Sequence, residues 1–150
     1  MFFKVDRSRK IRHFAAAALF FASCTSSSVV KGTSLAGSIE KEAASLNKNM
    51  KHVYQLKSKR VAVSGFYYII SRNGRVVFHP QAVLIGADMS NMSFVAAVLQ
   101  QGNGCIEYTV DGKVFIIFSR LISNDNILCL SIPKEEVIGS YGECVDFEVK

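Results

Sequence analysis

The side chains able to do chemistry are few in this chain, and they sit among apolar runs. There are three histidines, His13, His52 and His79, and four cysteines, Cys24, Cys105, Cys129 and Cys144. No two cysteines stand in a Cys-x-x-Cys pair, and no Cys/His group has zinc-finger spacing, so neither a metal nor another cofactor is expected. Ser64-Gly65 is not a nucleophile elbow, and no Ser-His-Asp or Cys-His order can be built from these histidines. The sequence therefore points away from an enzyme. What remains is binding chemistry: aromatic and polar side chains spaced through β-type segments, namely Tyr68, His79, Tyr108, Phe115 and Arg120. A small-molecule pocket needs apolar walls with a few converging polar groups, and an arginine adds a bidentate clamp for a carboxylate. Tyr108 and Phe115 flank Asp111-Gly112, which makes them near cross-strand neighbours in a hairpin. The expected pocket has Tyr68, Tyr108 and Phe115 in its wall and Arg120 or His79 at its rim.

Cys24 belongs to a different chemistry. Lys4, Arg7, Arg9, Lys10 and Arg12 precede an apolar run from Phe14 to Ala22, then come Ser23-Cys24 and the polar Thr25 to Ser28. A basic segment, a short apolar core and small residues before a cleavage point make a secretory signal. Nine residues of helix rise only about 14 Å against a bilayer core of about 30 Å, so this is a signal and not a span. Phe21-Ala22-Ser23-Cys24 resembles the bacterial lipobox, with Phe21 where Leu is usual. That resemblance implies cleavage before Cys24 and a palmitate-type lipid anchor on it, which places the protein in the cell envelope, on a membrane and outside the cytoplasm. The expected divisions are a lipoprotein signal peptide at 1–23, a flexible Ser/Thr-rich tether at 24–34 and one domain at 35–150.

Charge supports that division. The chain carries 18 basic and 12 acidic residues, net +6, but the leader holds five basic residues and one acid, leaving 13 and 11. A net charge of +2 with no obvious basic patch beyond Lys57-Ser-Lys-Arg60 argues against a nucleic-acid partner. Outside the cytoplasm two of Cys105, Cys129 and Cys144 can pair, leaving one over. Their apolar surroundings also suit small buried hydrophobes.

The elements that must hold the candidate residues follow from periodicity. Leu35, Ile39, Ala43, Leu46, Met50, Val53 and Leu56 recur at spacings of three or four, which predicts one helix over 35–57. Its stripe packs on a sheet or pairs with a second copy. Val61–Ile70 and Arg75–His79 read as strands joined by Asn73-Gly74; Cys105–Val110 and Lys113–Ser119 as strands joined by Asp111-Gly112. Between the hairpins, residues 81–103 form a long connection with a short helix from Ser93 to Gln100, capped by Ser90 or Asn91. Ile127–Ile132 is a fifth strand, Pro133 opens a helical turn, and Cys144–Val149 suits an edge strand. The fold class is α+β: a long N-terminal helix packed on a five-stranded antiparallel sheet.

The stretch Gly65 to Val137 resembles a Cache domain, the extracytoplasmic relative of PAS sensor folds. The residues that carry the resemblance are Gly65-Phe-Tyr-Tyr-Ile-Ile-Ser-Arg-Asn-Gly-Arg-Val-Val-Phe-His-Pro80, Leu84-Ile-Gly-Ala-Asp88, Gly104-Cys-Ile-Glu-Tyr108, Asp111-Gly-Lys113 and Ile132-Pro-Lys-Glu-Glu136. The Trp that the family often carries before its last strand is replaced by Asn126-Ile-Leu128. The resemblance implies a small-molecule ligand of the amino-acid or organic-acid class, held between the sheet and residues 81–103. It also implies sensing or delivery to a membrane signalling partner, while a homodimer would follow from the helix stripe pairing with a second copy. The other class of function is a structural or interaction lipoprotein, its pocket filled by its own side chains and its long helix docked on a partner.

Overall fold

The computed structural model describes residues 29–147. The segment expected to be a signal peptide and the expected lipidation site Cys24 lie outside the described residues. The chain runs through β1 (Val30–Lys31), α1 (Gly32–Lys48), α2 (Val53–Leu56), β2 (Arg60–Val61), β3 (Gly65–Ser71), β4 (Val76–Phe78), α3 (Ser93–Gln101), β5 (Gly104–Val110), β6 (Lys113–Ile122), β7 (Asn126–Pro133), β8 (Val137–Ile138) and β9 (Val145–Phe147). The main sheet has the order β2-β3-β7-β6-β5-β9, with β4 also paired to β3. It therefore has seven strands among the described residues, not five. It is antiparallel except at β9, which pairs parallel to β5, so the expected edge strand exists but inverts the expected direction.

The long helix is broken where the periodicity gives no warning. α1 ends at Lys48, and Asn49 is extended (φ −157°, ψ 107°) while its side chain accepts from Lys51 N at 3.0 Å. A 3-10 turn at Met50–His52 then leads into the single turn of α2. Asn competes with helix by bonding its own local backbone, and that competition wins here. The stripe nevertheless holds its face: Leu35, Ile39, Ala43, Leu46 and Leu56 are buried against Tyr67, Ile69, Ile116, Phe118, Leu128, Leu130 and Ile132 of the sheet. The stripe packs within its own chain.

The expected tether also shortens at its end. Val30 and Lys31 pair parallel with Val137 and Ile138, and α1 starts at Gly32. Gly32 is required there, because a Cβ would stand 2.6 Å from the Ser140 carbonyl oxygen.

The apolar run predicted as one strand from Val61 to Ile70 conceals a turn. Ala62 takes a positive φ of 54°, and the next two backbone N–H groups, of Val63 and Ser64, each donate to Glu136 Oε2 at 3.0 Å. The Ser64 hydroxyl donates to the other carboxylate oxygen. Both hairpin turns form as predicted. Gly74 adopts φ 80°, and a Cβ there would lie 2.7 Å from Ser90 Cα. The connection after β4 is tied back on that strand: Val76 N donates to Ala87 O at 2.9 Å, Gly86 N to Val76 O at 2.8 Å and Met89 N to Gly74 O at 3.0 Å. α3 follows with Met92 at its N-cap position and no side-chain cap, so neither Ser90 nor Asn91 serves there.

Candidate functional site

Strand alternation gives the sheet two unlike faces. One carries Tyr67, Ile69, Ile116, Phe118, Leu128, Leu130 and Ile132 toward α1. The other carries Phe66, Tyr68, Ile70, Ile106, Tyr108, Ile117, Ile127 and Cys129 toward the connection and α3. The register across the second face sets Tyr68 opposite Cys129, Phe66 opposite Ser131, and Tyr108 opposite Phe115. Hydroxyl and thiol groups thus lie in one band within an otherwise apolar layer.

Four of the five sequence-predicted binding residues fall on or beside this second face. Tyr68 is buried, and its ring lies 6.0 Å from the His79 ring. Burial raises its pKa well above 10, with the neighbouring Cys129 and Tyr108 adding to the rise. Burial likewise pushes the Cys129 thiol up to about 12, so it stays protonated and unreactive. Tyr108 is raised by burial too, against the opposing pull of the Ser131 hydroxyl. Tyr108 and Phe115 stack at 5.4 Å, as the hairpin spacing predicts.

The fifth residue is a correction. Arg120 lies on the opposite face, where its Nε donates to Glu40 Oε1 of α1 at 2.6 Å. It does not rim the space under residues 81–103. β6 runs on to Ile122, so alternation places Arg120 with Ile116, Phe118 and Ile122 and not with Phe115.

Sequence reasoning missed three contributors. Phe94 of α3 stacks on Tyr108 at 4.7 Å, occupying the place where a flat ligand would lie over that ring. Phe66 meets His79 edge-on at 5.2 Å. Arg60 lies at the margin of the same region. Phe66 and Phe94 were legible as apolar residues only. Nothing in their spacing marks them as site residues.

Open space is found where the second face meets the β2–β3 turn. A groove of about 550 Å³ is lined by Arg60, Ser64, Phe66, His79, Gln81 and Leu84 among others. The Arg60 guanidinium leans on the carbonyl oxygens of Lys57 (3.2 Å) and Lys59 (3.4 Å), and among the described residues no carboxylate pairs with it. Gln81 N donates to His79 Nδ1 at 3.0 Å. That bond requires a lone pair on Nδ1, so the neutral ring carries its proton on Nε2 and offers a donor. Burial lowers the His79 pKa from 6.5, consistent with a neutral ring. The groove thus presents a cation, a neutral donor and apolar walls. Among the described residues no three His, Cys, Asp or Glu side chains gather as metal ligands.

The cysteines resolve the pairing left open above. Cys105 of β5 is disulfide-bonded to Cys144, which precedes β9, and Cys129 is free and buried. Beside that link, Glu107 takes a hydrogen bond from Lys134 Nζ at 2.7 Å and another from the Tyr141 hydroxyl.

The element order and sheet topology define a PAS-like α+β fold. The extracellular domain of mmHK1S-Z2, described as a histidine kinase, is 24% identical over 58% of this chain and 38% of its own, with a TM-score of 0.50. The chain therefore spans little more than a third of that protein's length. A methyl-accepting chemotaxis protein from Vibrio parahaemolyticus is 12% identical over 68% of this chain and 80% of its own (TM-score 0.49). A Cache chemosensory domain described for carboxylic acid recognition is 21% identical over 69% and 80% (TM-score 0.47). No family model and no curated protein matches the chain. The fold is Cache-like, α+β with seven strands in its main sheet among the described residues. Among the described residues no helix is long and apolar enough to cross a membrane.

Proposed function

We propose that this protein is a lipid-anchored extracytoplasmic binding module, tethered through Cys24, that captures a small organic acid or amino acid for sensing or delivery to a membrane partner. The observation that carries the reading is the groove of about 550 Å³ with Arg60 unpaired at its margin and Phe66 and His79 in its wall. A carboxylate can take the guanidinium as a charge-assisted partner, the His79 Nε2–H can donate to a second oxygen, and Phe66 and Leu84 suit an apolar body. The Tyr68 ring lies 6.0 Å from each of the Phe66 and His79 rings. Tyr108, covered by Phe94 and stacked on Phe115, belongs to the same face of the sheet. The Cys105–Cys144 disulfide supports export, because such bonds persist in oxidising compartments.

A thermal-shift screen of the full chain against amino acids and organic acids tests the binding half, since a ligand that binds only the folded state raises its melting temperature. At least one carboxylate is expected to raise it, and Arg60→Met is expected to abolish the effect. Silence across the panel, or a shift unchanged in Arg60→Met, sinks this reading. The anchor is tested separately: Cys24→Ala should take up no labelled palmitate, and uptake by that variant would refute lipidation at Cys24.

One observation favours a second reading. Phe94 fills the layer over Tyr108, as expected of a scaffold whose interior is occupied by its own side chains. Under that reading the protein acts through a partner and no carboxylate in the panel stabilises it. The docking surface would lie elsewhere than the α1 stripe, which is consumed by the sheet.

A further inference from the structure

The groove of about 590 Å³ between α1 and the start of β5 lies at the edge of the α1 face of the sheet, away from the aromatic layer. Its lining includes Glu40, Ala44 and Asn47 of α1, Asn103 before β5, and Arg120 of β6. Both asparagines are held by their carbonyl oxygens. Asn47 Oδ1 accepts from Ser123 N at 2.7 Å and from Ser123 Oγ at 2.9 Å, and Asn103 Oδ1 accepts from Leu121 N at 2.7 Å. Each amide is thereby oriented with its two-donor end free, and among the described residues no hydrogen bond uses either Nδ2. Arg120 is oriented in the same way. Its Nε is held by Glu40 and its Nη1 donates to Ser119 O at 2.8 Å, leaving Nη2 free. Glu40 spends Oε1 on Arg120 and keeps Oε2 open.

We infer that this groove is a second ligand site, for a compact zwitterion that carries a carboxylate and an ammonium a few ångströms apart. Three donors fixed by their own backbone bonds suit a carboxylate, because groups already oriented lose little freedom on binding. The free Glu40 oxygen suits the ammonium. A ligand with one charge of each sign leaves the Arg120–Glu40 pair balanced, whereas a lone anion sets its charge against Glu40 and a lone cation against Arg120. Ala44, exposed in the lining, leaves the room a small ligand needs. The site shares no lining residue with the groove at Arg60 and does not depend on its function.

The test is a titration of the 15N-labelled full chain in detergent, following the side-chain amide signals of Asn47 and Asn103 and the Arg120 Nε–H. The probes are L-alanine, propionate and ethylammonium. L-Alanine should move all three signals saturably, and the two single-charge analogues should bind at least about tenfold more weakly. Arg120→Met should weaken L-alanine binding by a similar factor. Ala44→Leu, which removes no hydrogen bond and fills the groove, should abolish it while the backbone spectrum stays dispersed. Arg60→Met should leave the titration unchanged. Absence of saturable shifts into the tens of millimolar overturns the site, as does binding that survives Ala44→Leu. Equal affinity for propionate and L-alanine overturns its assignment to a zwitterion.

Discussion

The two faces of the sheet solve the same packing problem with different side chains. Toward α1, burial is almost wholly aliphatic: Leu35, Ile39, Leu46 and Leu56 meet Ile69, Ile116, Leu128, Leu130 and Ile132. Tyr67, Phe78 and Phe118 are the aromatic exceptions, and the Tyr67 pKa is raised to about 12 by burial and then by Glu42. Toward the connection and α3, aromatic rings alternate with hydroxyl and thiol groups, and the layer ends in an open groove. An aliphatic layer is specified by shape alone and tolerates no charge. A layer of Tyr, Cys, Ser and His keeps polar groups within reach of a ligand and leaves an open groove at its margin. The α1 face holds the fold together, and the α3 face is where binding is expected to be read.

The largest test of that contrast is Leu46→Asp. Leu46 is 1% exposed, so the substitution removes an aliphatic side chain and buries a carboxylate with no partner. A loss of roughly 4 kcal/mol or more is expected, a large share of a small domain's stability. Urea denaturation followed by circular dichroism measures it. A midpoint equal to the parent's would mean that the α1 face is wet.

A smaller effect is expected on the other side from Phe94→Ala. Phe94 is only half-buried and stacks on Tyr108, so about 2 kcal/mol should be lost, less than for Leu46→Asp. The substitution also uncovers the Tyr108 ring, and indole should then raise the variant's melting temperature while leaving the parent's unchanged. An indole response in both proteins would show that the stack already opens, and the contrast between a solid face and a partly open one would be sharper still.

What the sequence makes legible follows from where the information is local. Asn73-Gly74 and Asp111-Gly112 announce their turns because the required positive φ is written into the residue types: 80° at Gly74, 50° at Asp111 and 74° at Gly112. The direct pairing of Tyr108 with Phe115 follows from the second turn. The α1 stripe and α3 are likewise periodic. The turn at Ala62 is not legible, since its stabilising contact, Glu136, comes from more than seventy residues away. Nor is the Cys105–Cys144 pairing, which depends on β9 returning to β5. The face of Arg120 is hidden for a nearer reason. Once β6 is read as ending at Ser119, nothing assigns Arg120 a face; with the strand running to Ile122, its parity decides. The groove at Arg60 is not legible either, because it is made by the turn hidden in the Val61-Ala-Val63 run.

The smallest expected effect is a pH dependence confined to the α3 side. Burial lowers the His79 pKa from 6.5, so the folded state binds a proton there less readily than the unfolded chain does. Protonation also places a hydrogen on Nδ1, where Gln81 N already donates. The stabilising contribution is therefore complete above about pH 6.5 and is lost as pH falls through the lowered folded value. His79→Gln removes the titration while leaving a polar side chain. Between about pH 7.5 and 5 the parent's melting temperature should fall by more than that of His79→Gln, the difference appearing mainly below pH 6.5. Binding at the Arg60 groove should weaken over the same interval if the ligand uses the ordered neutral ring, because a protonated His79 no longer accepts from Gln81 and loses its fixed orientation. Parallel pH profiles for the two proteins would show that His79 is not held neutral, and the groove would then rely on Arg60 for the recognition of a carboxylate.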